Sequence, residues 1–199
     1  ILTPFVLSRI RRWILNFTNT RVGSLSGGTM LEMRMALLFQ ELSASPTSIQ
    51  DANVAIAYGL LHGHDITVGD ALKAYLQALL RSQFPTYVRI PKDLWPEGWE
   101  GKYEQPMCLL ERALYGHPES GAHWEKHFTE IVKGLGGVPV PDHPSLFHFL
   151  DTGLLLTVYV DDLLVSGPIS AHQPFWDKLD VDEVTGLDRF LGRHHIFRQ

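Results

Sequence analysis

The stretch Leu154-Leu-Leu-Thr-Val-Tyr-Val-Asp-Asp-Leu-Leu-Val-Ser166 constrains this chain more than any other, because it sets two adjacent carboxylates between two apolar, β-rich runs. Such runs read as buried strands, Leu154–Val160 and Leu163–Val165, so Asp161 and Asp162 are expected at the tip of a tight hairpin. Neighbouring like charges repel, and apolar flanks make their desolvation costly unless a cation is supplied. A divalent metal is the simplest supply. An Asp pair is also an ordinary polar turn. However, the favoured two-residue hairpin turns put Gly or Asn where φ is positive, and here Val160 or an Asp must take that geometry. A β-branched residue in such a position is held there by its surroundings, often at a functional site.

A third carboxylate lies at the end of Asp65-Ile-Thr-Val-Gly-Asp70. In an extended segment Ile66, Val68 and Asp70 share a face, so two apolar anchors lead to a carboxylate at a strand end. Ala71 to Gln77 then suits a turn into a short helix, which Asp70 could equally cap. A strand-end carboxylate brought beside a hairpin bearing two more suits Mg²⁺, a cation that prefers oxygen ligands, and suits metal-assisted phosphoryl transfer.

Four segments in order resemble one family. Tyr159-Val-Asp-Asp162 resembles the YxDD box of reverse transcriptases, and Asp70-Ala-Leu-Lys-Ala-Tyr-Leu76 resembles their first carboxylate motif. Leu110-Glu-Arg-Ala-Leu-Tyr-Gly116 through Trp124, and Leu187-Asp-Arg-Phe-Leu-Gly192, are similar to segments of copia-type long-terminal-repeat retrotransposons. The resemblance spans roughly Leu31 to Ile196, and the shared order makes it more specific than any single box.

The resemblance implies an RNA-directed DNA polymerase that joins a dNTP to a primer 3′-hydroxyl on an RNA or DNA template. Asp70, Asp161 and Asp162 are then the catalytic carboxylates. Two Mg²⁺ ions, or Mn²⁺, are held by Asp70 and Asp161 with the Ala71 carbonyl, and Asp162 supports the second site. Tyr75 matches the aromatic residue that packs on the sugar edge and excludes a ribose hydroxyl, while Tyr159 and Val160 line the substrate. Glu119 and Ser120 are placed near substrate by position alone. The family pattern carries Lys-Gln-Ser-Pro-Arg where this chain has Pro118-Glu-Ser-Gly-Ala122, an exchange expected to weaken phosphate binding.

Composition adds limits. With 199 residues and 45% hydrophobic content the chain can bury one substantial core, and no uncharged run is long enough for a membrane helix. A lone cysteine, Cys108, excludes an internal disulfide framework, predicts no disulfide-linked partner and fits a reducing, intracellular compartment. The net charge of −5 is unusual for a protein that tracks a phosphate backbone, so a template must be held by local patches. Arg9, Arg11 and Arg12 form the visible basic cluster.

The expected class is α+β, a palm-like antiparallel sheet backed by helices, with partial fingers and the start of a thumb. Residues 1–30 are a divergent N-terminal segment, 31–168 fingers and palm, and 169–199 the end of the palm and the start of a truncated thumb, so the chain reads as an internal fragment. A helix is expected from Ser45-Pro46, burying Ile49, Ala52, Ile56 and Leu60 beneath the sheet. Further helices are expected over His117–Leu135, with Trp124, Phe128, Ile131 and Leu135 inward, and around Phe175–Leu179. Strands are expected at Tyr87–Ile90, Met107–Glu111, Ser145–Leu150 and Phe190–Phe197. Two other readings compete: an inactive retroelement remnant that at most binds nucleic acid, and a zinc hydrolase using His123 and His127 one helical turn apart. Trp124 stands where the metalloprotease signature requires Glu.

Overall fold

A computed structural model describes residues 47–196. The expected segment 1–30, the arginine cluster, the Ser45-Pro46 helix start and Phe197 lie outside the described residues. In chain order the elements are helix α1 (Ile49–Gly59), strand β1 (His64–Asp70), the one-turn helix α2 (Ala74–Gln77), β2 (Tyr87–Arg89), β3 (Met107–Leu109), helix α3 (Ser120–Gly134), β4 (Gly137–Val140), β5 (His143–Phe149), β6 (Leu154–Tyr159), β7 (Asp162–Pro168), helix α4 (Ile169–Trp176), β8 (Thr185–Gly186), β9 (Arg189–Phe190) and β10 (Arg193–His194). The class is mixed α+β. No helix among the described residues is long and apolar enough to cross a membrane.

Six strands form one antiparallel sheet in the order β4-β5-β6-β7-β1-β8. Strands β4 to β7 follow one another as a meander, and β1, from earlier in the chain, pairs with β7 along its whole length from His64↔Pro168 to Asp70↔Asp162. Near-continuous aliphatic sequence in β6 and β7 is explained by cover on both faces: Leu156, Leu163, Leu164 and Val165 are fully buried. On one face Ile66 and Leu164 pack with Ala52 and Ala55 of α1 and with Leu187 and Phe190. On the other, Phe149 meets Phe175 of α4 edge-on with ring centroids 5.1 Å apart.

The described residues fall into two compact units, 75–123 and 47–74 with 124–196. The second contains the six-stranded sheet, and the chain on either side of residue 168 belongs to it. The first contains the β2–β3 hairpin and the segment leading into α3.

Several boundaries differ from expectation for physical reasons. Helix α1 starts after Ser48, whose hydroxyl accepts the Asp51 N–H while the Asp51 carboxylate accepts the Ser48 N–H, a reciprocal cap. Its inward face is Ala52, Ala55 and Gly59, whereas Ile49 and Leu60 are exposed. Small residues win because the helix lies so close to β1 that a Cβ at Gly59 would overlap Ile66. In α3 the inward stripe is Trp124, Phe128 and Val132, with Ile131 and Leu135 only half-buried. Gly137, just past the expected helix, opens the edge strand β4, where Pro139 is tolerated. Helix α4 runs earlier than expected, and the expected final strand is a small hairpin. There Leu191 and Gly192, both at positive φ, form the turn between β9 and β10.

Candidate functional site

The carboxylates meet because β1 ends where β7 begins. Asp70 is the register partner of Asp162, which is in turn the partner of Tyr159 on β6. Directly opposed residues of an antiparallel sheet point to the same face, so Asp70, Asp162 and Tyr159 form a row across three strands. The Ala71 N–H donates to the Asp161 carbonyl at 2.8 Å. That bond makes Asp70 and Asp162 a non-hydrogen-bonded pair, the closer of the two kinds, with Cα atoms about 4.5 Å apart in such ladders. It also turns the amide edge of the buried Ala71 toward Asp161.

Asp161 and Val160 alone make the hairpin turn, and Asp162 is the first residue of β7 rather than part of the tip. Val160 takes φ +58°, so the strained position falls on the β-branched residue and not on an Asp. The buried indole of Trp124 donates to the Val160 carbonyl at 2.6 Å.

Electrostatics follow from this crowding. The Asp162 carboxyl is pushed above the usual carboxylate range, first by desolvation and then by the Asp161 charge, with Arg189 opposing both. A cation placed here would relieve that repulsion. No group of three or more His, Cys, Asp or Glu among the described residues is arranged to hold a metal ion. The donor set is nevertheless of the kind Mg²⁺ uses, one or two carboxylates with the remaining positions left to water and substrate phosphate.

Behind the row, two supports fix β1. Trp176 of α4 lies over Gly69, where an added Cβ would come within 3.2 Å of the ring. Its N–H donates to Thr67 Oγ1 at 2.8 Å, and Thr67 Oγ1 lies 2.7 Å from His172 Nδ1, whose Nε2 lies 3.1 Å from the Gly167 carbonyl. The second support is a segment the sequence reading overlooked. The Asp182 N–H donates to the Asp70 carbonyl at 2.9 Å, and the Leu72 N–H donates to the Asp180 carbonyl at 3.0 Å. Between the Val68↔Thr185 and Ala71↔Val181 pairs this segment carries one residue more than β1, a bulge beside the carboxylate. Its alternation of Asp, Val, Asp and Glu is too short to signal a strand.

The remaining expected site residues lie in the unit 75–123. Tyr75, on α2, is half-buried with its ring 4.5 Å from that of Tyr115. The Arg112 guanidinium caps the same short helix through the Leu76 and Gln77 carbonyls. Glu119 accepts the Ser82 hydroxyl and faces His123 at 3.5 Å; the Ser82 bond above all holds its carboxyl below the usual range. Ser120 is buried, accepting from the Leu114 N–H at 2.8 Å and donating to the Leu114 carbonyl at 2.7 Å. The hydroxyl is thus already committed to backbone. His123 faces Glu119, and His127 lies against the Trp124 ring. A search against models of known protein families finds none that matches this chain.

Proposed function

We propose that the chain is the fingers and palm part of a reverse transcriptase of the copia type, an RNA-directed DNA polymerase acting on a primed template. The observation that carries the reading is the register Asp70↔Asp162 with Asp161 in the adjoining turn. It brings together two motifs that lie far apart in the sequence but are similar to the two carboxylate boxes of that family.

Asp70 and Asp161, with the Ala71 carbonyl, would hold two Mg²⁺ ions, which supply activation of the primer 3′-hydroxyl and neutralise charge on the triphosphate. The protein's own part is to fix those carboxylates at the end of a rigid sheet. Asp162 adds negative charge beside Asp161 and, through its pairing with Tyr159, orders the floor of the site. Tyr75 is the proposed sugar-edge residue, five positions after Asp70 as in the family motif.

Primer extension on an RNA template with Mg²⁺ tests the reading, with Asp161→Asn as control. Extension by the parent chain and none by the variant supports it. Template binding without extension by the parent would instead leave the inactive remnant. Hydrolytic activity that a zinc chelator abolishes and Asp161→Asn does not would overturn both.

A further inference from the structure

We infer that Trp124 is a positioning residue for Asp161, acting through the carbonyl of Val160; the inference rests on the polymerase reading above. Three observations combine. Val160 is a β-branched residue at φ +58° in a two-residue turn, a conformation that an isolated chain would leave. Its carbonyl accepts the Trp124 indole N–H at 2.6 Å. The indole is only 2% exposed and is held by Phe128, whose ring centroid lies 5.0 Å away.

The peptide joining Val160 to Asp161 is one rigid plane, so the carbonyl at one end fixes the amide at the other. Relaxing Val160 to negative φ would rotate that plane and carry Asp161 with it. Such a rotation would remove the carbonyl from the indole N–H, a group that can donate but not accept and that has no water to turn to when buried. The indole thus recognises the strained form of the turn. The Asp161 carbonyl, which accepts the Ala71 N–H, ties the same turn to the end of β1. Phenylalanine at position 124 would fill much of the space and leave the carbonyl unheld.

The test uses the full chain with Trp124→Phe, Val160→Gly and the double variant, reading Mn²⁺ affinity by electron paramagnetic resonance, primer extension and thermal melting. Glycine adopts positive φ without steric cost, so the indole bond matters less once Val160 is replaced. Trp124→Phe is expected to weaken Mn²⁺ binding and lower kcat by about tenfold each, with KM for the dNTP changed less than about twofold, as misplacement of a catalytic group does. The double variant is expected to fall within about threefold of Val160→Gly alone, because the strain that the bond opposes is gone.

A folded Trp124→Phe chain with parental Mn²⁺ affinity and kcat overturns the inference while leaving the polymerase reading intact. So does a double variant that falls as far below Val160→Gly as Trp124→Phe falls below the parent, because Trp124 would then act through packing alone. A parent chain that neither binds Mn²⁺ nor extends a primer removes the reading and the inference together. Hydrogen exchange of the Trp124 indole in the parent gives a check that needs no variant. Slow exchange is expected, and exchange as fast as in an exposed indole overturns the inference.

Discussion

The end of the sheet that bears Asp70, Asp161 and Asp162 and the segment that bears Glu119 and Ser120 handle polar groups in opposite ways. At the sheet end the backbone is pinned from several sides, by Trp124, Trp176 and the Asp182 N–H, while the Asp162 carboxyl is pushed up first by desolvation and then by the Asp161 charge. In the unit 75–123 the side chains themselves are engaged: Glu119 with Ser82 and His123, Ser120 with Leu114, His117 with Thr86. Burial also holds the His117 imidazole below its usual range, partly offset by Glu119. Fixed backbone with uncomfortable charge marks a place built to receive something; satisfied side chains mark a place built to hold itself together.

The largest expected break in that contrast is chemical. Asp70→Asn and Asp161→Asn should each lower primer extension by about 10²-fold or more, the scale for losing a group that stabilises transition-state charge, with little change in melting temperature. Single-turnover extension beside a thermal melt checks it. Next comes packing. Gly59→Val should destabilise the chain by about 1–3 kcal/mol, as overpacking does, because α1 has no room to withdraw from Ile66 without losing the Ala52 and Ala55 contacts. Urea denaturation measures it.

Ser120→Ala sharpens the comparison from the other side. Leaving the half-buried Leu114 N–H and carbonyl without their side-chain partner should cost about 1 kcal/mol while Mn²⁺ affinity stays at the parent value. A loss of metal binding without loss of stability would instead give Ser120 a part in the site. The smallest effect concerns Asp162. A carboxyl whose folded value is raised binds its proton more readily in the folded state, so the folded chain loses stability as pH rises from the ordinary range through the raised value. Asp162→Asn should therefore stabilise the protein at neutral pH by less than about 1 kcal/mol, given solvent screening at an exposed group, and the gain should vanish in acid. Melting curves across pH check the sign.

What the sequence disclosed was set by where local pattern and tertiary need agree. The alternation Ile66, Val68, Asp70 and the aliphatic runs around Asp161 give β1, β6 and β7, and the absence of Gly or Asn at the turn correctly predicts a strained residue there. Of the stripe expected on α1, Ala52 and Ile56 do face the core, whereas the ends Ile49 and Leu60 are exposed and Ala55 and Gly59 take the inward places. Close approach to β1 makes small side chains the ones that fit. The strand β4 was hidden behind glycines that also serve as a helix stop, and the Asp180–Asp182 segment was hidden by its brevity. Ser120 drew attention through its position in a motif, and its bonds to the Leu114 backbone are ones that spacing alone does not reveal.

On the proposed reading, a divalent cation binds where Asp70 meets Asp161 and Asp162. Paramagnetic broadening of backbone amide signals by Mn²⁺ measures this directly on the whole chain. Ala71, Asp161 and Asp162 are expected to broaden first, at Mn²⁺ levels that leave Glu119, Ser120 and His123 sharp. Broadening that begins at Glu119 and His123, or that spares Ala71 and Asp161 altogether, would contradict it.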